Sequence, residues 1–137
     1  MSDLARKLGI TPGQALCVLD APVASEALIR DICPPGVTIS ATPGTTPFDQ
    51  VFVWVAAPEG LAERFAVLQR AIVPAGVVWA VLPNKRAAAR RGIPLTWERM
   101  QAAALTTNLV DNKIVSLSDE EYATRFVIRK ERRTTYS

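Results

Sequence analysis

The chain has 137 residues, 49% hydrophobic and 21% charged, a size and balance that fit one globular domain with a single core. It contains no histidine and two cysteines, Cys17 and Cys33, without CxxC spacing; zinc sites and Ser-His or Cys-His nucleophile pairs are therefore not expected. The formal net charge of +3 is uneven, because residues 1–84 carry five Lys/Arg against seven Asp/Glu and residues 85–137 carry eleven against six. The excess falls in a basic loop with Lys85, Arg86, Arg90 and Arg91, and near the C-terminus in Arg125, Arg129, Lys130, Arg132 and Arg133, so nucleic-acid or anion binding is one class to weigh. The opening MSDLARKLG has no long apolar run, and later apolar stretches break well short of ~20 residues, so neither a signal peptide nor a membrane span is expected and a cytoplasmic location follows.

In chain order, Ser2 caps a short lead-in helix ended by Gly9, and Ala15–Leu19 (ALCVL) reads as a strand buried on both faces. Val23–Ile32 has helical spacing up to the Pro34-Pro35-Gly36 stop, and Val37–Ala41 is a short β-branched strand followed by a loop from Thr42 to Pro47. Val51–Ala56 (VFVWVA) is a third strand. Pro58 suits the first turn of a helix whose stripe is Leu61, Phe65, Leu68 and Ile72, ended by Pro74-Ala75-Gly76 before the strand Val77–Leu82. Past the basic loop, Thr96 caps a helix with Trp97, Met100 and Ala104 on one side, running to about Asn108. Leu109–Leu117 and Tyr122–Lys130 form an antiparallel pair around Asp119-Glu120-Glu121, and residues 131–137 are expected to be a flexible tail. One domain spans residues 1–137.

TPGQALCVLDAP, FDQVFVWVA and IVPAGVVWAVLP resemble the Pro-Gly lead into the first strand, the fourth strand and the turn entering the fifth strand of class I methyltransferases. More closely, KLGITPGQALCVLDAP, LPNK and LVDNKIVSLSDEEYATRFVIRK resemble a bacterial domain-of-unknown-function family of similarly short proteins, with Tyr122 where that family commonly has Trp. The resemblance implies a Rossmann-like α/β three-layer sandwich. VTIS and FDQVFVWV lie too close for one helix–strand unit, so it implies a mainly parallel six-stranded sheet of order 2-1-3-4-6-5, its last strand inserted antiparallel.

Ligands of open α/β sheets bind beyond the strand carboxyl ends where the strand order reverses, here between the first and third strands. The expected wall is Asp20, Ala21, Pro22 and Val23, Ser40 to Thr42, Ala56 to Pro58, and Pro83 to Lys85. Asp20 is either a helix cap or a ligand contact, and Lys85 either binds a phosphate or carboxylate or is a solvated lysine. Cys17 and the three tryptophans read as core, and Asp119, Glu120 and Glu121 as a solvated turn. The resemblance also implies a glycine-rich cofactor turn after the first strand and an acidic residue ending the second; LDAPVAS and ISATP offer neither. The leading expectation is thus a non-catalytic methyltransferase-like domain without cofactor, metal or catalytic residues, taking a small ligand or a protein partner. An active S-adenosylmethionine-dependent methyltransferase with an atypical loop, or a nucleic-acid or anion-binding module, are the alternatives. A homodimer is compatible with so small a sheet; membrane and nucleic-acid partners are not expected.

Overall fold

A computed structural model describes residues 2–131. Its elements are α1 (Asp3–Leu8), β1 (Ala15–Leu19), α2 (Val23–Ile32), β2 (Thr38–Ser40), β3 (Phe48–Trp54), α3 (Leu61–Leu68), β4 (Ile72–Pro83), α4 (Lys85–Arg91), α5 (Trp97–Leu105), β5 (Leu109–Ser116) and β6 (Glu121–Ile128). They form one six-stranded sheet of order β2-β1-β3-β4-β6-β5, as the resemblance implied. The first four strands are parallel, and β6 runs antiparallel between β4 and β5.

Alternation along the strands builds two cores from one sheet. Cys17, Leu19, Val51 and Val53 face α3 and α5 with Phe65, Leu68 and Met100. Leu16, Val18, Phe52 and Trp54 face the other way, with Leu8 of α1 and Ile29 of α2. This makes the sandwich three-layered and explains why ALCVL and VFVWV are apolar without interruption: both faces are covered. Aromatic packing holds each layer to the sheet or within it, with Phe65 and Phe126 rings 5.7 Å apart and tilted, and Phe52 and Trp79 6.1 Å apart and stacked. Such pairs contribute about 0.5–1.5 kcal/mol beyond their burial.

Three expectations change. The supposed basic loop is helix α4, capped by the Asn84 side chain accepting from the Ala87 N–H at 2.9 Å and closed by left-handed Gly92. Ile72 belongs to β4, not to α3, which stops at Leu68; Pro58 precedes the helix in a turn, and left-handed Gly60 is the N-cap. β4 starts early because it inserts Val73, Pro74, Ala75 and Gly76 opposite the single residue Asp49. At Gly76 a Cβ would lie 2.9 Å from the Val73 carbonyl oxygen and 3.0 Å from that of Asp49, so only glycine fits this bulge. The expected tail falls almost wholly outside the described residues, as do Arg132 and Arg133 of the basic cluster. Among the described residues no helix is long and apolar enough to cross a membrane.

Candidate functional site

Beyond the carboxyl ends of β1, β3 and β4, where the sheet order reverses, lies an open cleft of about 430 Å³, within the usual size of small-molecule sites. Trp54, Val55, Ala56, Leu61, Val81 and Ile93 make its surface mainly apolar. Asp20, Glu59, Arg64, Arg91 and Glu121 add charge of both signs.

Asp20 is the sole non-glycine at positive φ among the described residues, at 60°. Aspartate tolerates this left-handed shape better than most residues. It caps nothing: the N-cap of α2 is Pro22, without a side-chain hydrogen bond. Its carboxylate instead accepts from Arg64 Nη2 at 2.5 Å, tying the β1 turn to α3.

A second polar knot closes the opposite wall. Glu121, at the start of β6, is only 6% exposed, so it is not the solvated turn residue that its neighbours suggested. Its Oε1 accepts from Ser25 Oγ at 2.6 Å and from Trp54 Nε1 at 3.2 Å, and its Oε2 from Arg91 Nη1 at 3.2 Å. Arg91 also donates to Glu120 at 2.7 Å, and Arg90 forms an ion pair with the same carboxylate. The hydrogen bonds that Arg91 donates to Glu121 and then to Glu120 push its guanidinium pKa up, and the bond from Arg91 with the charge of Arg90 holds Glu120 below the usual carboxylate range. Two of the four cations in the basic segment are thereby neutralised within the fold.

Of the residues expected at the site, Asp20 and Pro22 border the cleft. Ala21 packs beneath it against the core on the α1–α2 side. Val23 opens α2 at 89% exposure. Ser40, paired with Cys17 at the end of the three-residue β2, and exposed Thr42 lie outside the lining, because β2 is the sheet edge one strand beyond the crevice. Ala56 and Pro83 line the cleft. Lys85 opens α4 and lines a separate cavity of about 500 Å³ with Trp97 and Tyr122. Burial, then the charge of Glu98, pushes the Tyr122 hydroxyl up. Cys17 is a buried thiol whose pKa burial raises. Arg64, Arg91, Trp54 and Glu121 were not singled out as site residues, and no local pattern marks them: Glu121 meets Ser25 and Trp54 across 96 and 67 residues of chain.

No family model matches the chain, and no curated protein matches it in sequence. Solved structures do match in shape. They include a TehB-like SAM-dependent methyltransferase from Corynebacterium glutamicum (TM-score 0.58, 12% identity, 90% of this chain and 84% of that one). The N-methyltransferase NodS from Bradyrhizobium japonicum gives a TM-score of 0.59 at 13% identity, covering 93% and 91%. The pyocyanin biosynthetic protein PhzM gives 0.61 at 11% identity over 92% of this chain and 53% of that one. At such identities the likeness shows a Rossmann-like methyltransferase fold. It does not support the expectation that the domain is cofactor-free, since neighbours of this shape include SAM-dependent enzymes.

The residues present do not fit S-adenosylmethionine in the manner implied by the resemblance. The β1 turn runs Asp20-Ala21-Pro22, where Pro22 has no N–H to donate, and β2 ends in Ser40 without a carboxylate.

Proposed function

We propose that this methyltransferase-fold domain is a binding module for a small amphipathic molecule, held in the cleft beyond β1, β3 and β4 and not chemically transformed by it. The observation that carries this reading is the combination, in one cleft, of an apolar floor with the Asp20–Arg64 and Glu121–Arg91 pairs. An apolar or aromatic body would cover Trp54, Leu61 and Ile93, while a cationic group exchanges for Arg64 at Asp20 and an anionic group exchanges for Asp20 at Arg64. Exchange is feasible because the side chains of Asp20 and Arg64 are 63% and 37% exposed. Glu121 is too enclosed to trade partners and acts as the fixed wall.

The fold of the structural neighbours favours a second reading, a methyltransferase that holds S-adenosylmethionine away from the Ala21-Pro22 turn. Isothermal titration of the dialysed chain with S-adenosylmethionine and S-adenosylhomocysteine, with native mass spectrometry for any retained ligand, separates the two. The first reading predicts no heat at millimolar cofactor and a retained or screened small molecule whose binding Arg64→Ala weakens. Micromolar cofactor binding overturns it in favour of the second. The short family implied by the resemblance, a bacterial origin and a cytoplasmic location remain part of this proposal, as does a protein partner or a second copy of the chain in place of the small molecule.

A further inference from the structure

At the other end of the sheet, below the amino ends of β1, β3 and β4, a second cleft of about 360 Å³ is lined by Arg6, Lys7, Lys113 and Arg125 against one carboxylate, Asp49. We propose that this cleft binds a small multivalent anion carrying two or three phosphate groups.

Two irregularities of the sheet create it. The β4 bulge, which only Gly76 permits, forms one wall with Val73, Ala75 and Val77. On β5 the register skips Asn112, and this sets Lys113 directly opposite Arg125 of β6. Like charges facing each other across a strand pair destabilise a sheet. Among the described residues neither Lys113 nor Arg125 forms an ion pair with a carboxylate, and each is held by a neutral oxygen. Lys113 Nζ donates to the Lys7 carbonyl at 2.8 Å, and Arg125 Nη1 to Asn112 Oδ1 at 3.2 Å. The Lys113 bond also draws the C-terminal turn of α1 onto β5, which brings Lys7 and Arg6 to the same cleft. Arg6 is the exception in having a counter-ion, Asp3 at 3.3 Å on the surface. Asp49 is committed to the Ala15 N–H at 2.8 Å. The lining thus carries three more positive than negative side chains, with guanidinium forks and ammonium groups that suit phosphate oxygens.

The site lies opposite the cleft of the proposed function and is independent of it. Titration of the full chain with sodium tripolyphosphate and with pyrophosphate, at low and at physiological ionic strength, tests it. One site is expected, weakening as salt rises, with Kd about tenfold higher in Lys113→Gln and in Arg125→Gln and unchanged in Arg70→Gln and Arg86→Gln. Lys7→Gln, outside the sheet, repeats the test should a β5 or β6 variant fail to fold by circular dichroism. ATP binding like tripolyphosphate assigns recognition to the phosphate chain, and tighter ATP binding adds the nucleoside; either supports the site. No heat at millimolar anion, equal losses in Arg86→Gln, or a preference for a single-stranded oligonucleotide over tripolyphosphate would overturn it.

Discussion

Glu121→Ala removes the carboxylate on which Ser25, Trp54 and Arg91 converge. Deleting one partner of a buried ion pair costs about 3–5 kcal/mol. Here the Arg91 side chain is 35% exposed and keeps Glu120, so the charge component is discounted. The Trp54 N–H is buried and loses its acceptor, which costs about 1–3 kcal/mol; Ser25, half-buried, turns toward water. The expected total is about 2–4 kcal/mol, a large part of the about 5–15 kcal/mol by which domains are stable. Glu121→Gln keeps an acceptor oxygen for Trp54 and should cost less, about 1–2 kcal/mol. Urea unfolding followed by tryptophan fluorescence and far-UV circular dichroism gives both values. A loss below about 0.5 kcal/mol for Glu121→Ala, the range of ordinary surface substitutions, would refute the argument that this carboxylate holds the cleft wall.

Gly76→Ala should destabilise by about 1–3 kcal/mol, because its Cβ would strike the Val73 and Asp49 carbonyl oxygens; thermal unfolding checks it. Glu120 is depressed in the fold, so its stabilisation is present above the ordinary carboxylate pKa and lost as pH falls through the folded value; Glu120→Gln should flatten the acid limb of melting temperature against pH. Tyr122 is raised, so its contribution is complete below about pH 10 and lost as pH rises through the folded value. Tyr122→Phe should therefore flatten the alkaline limb, and an unchanged limb would remove the half-buried tyrosine's hydroxyl from the account. A thiol reagent should modify half-buried Cys33 first and reach Cys17 only on unfolding, as mass mapping after timed quenching would show.

The strand positions could be read from the sequence because their carriers are local: ALCVL, VFVWV and VVWAVL are uninterrupted apolar runs, and the α3 stripe repeats at helical spacing, whereas the strand order came from the family resemblance alone. Ile72 extended that stripe by coincidence, and only Gly76 and the bulge it permits place it in the sheet. KRAAARR was read as a loop with an exposed turn or a frayed helical segment, whereas it is a capped helix: Ala and Arg favour helix and Asn84 supplies the cap. The cleft was legible only through landmarks at the strand ends, Asp20, Pro22, Ala56, Ala57 and Pro83. Its second shore was not, since Arg64, Arg91 and Glu121 become neighbours only when α3, α4 and β6 converge on the crevice. Ser40 and Thr42 were placed at the crevice by strand order alone, and the edge position of β2, one strand beyond the crevice, leaves them outside its lining.

The sheet's two borders are its poorest strands. β2 offers three residues, and β5 carries a one-residue skip flanked by Asp111 and Lys113. Neither presents the long, flat row of free amides that a neighbouring chain could copy. The central runs VFVWV and VVWAVL, by contrast, hold no charge and are the kind of segment that stacks into fibrils once bare. Heating past the transition should therefore be irreversible, with a midpoint that moves with scan rate. Resistance to strand-by-strand growth thus rests on the sheet's worst strands and not on its best.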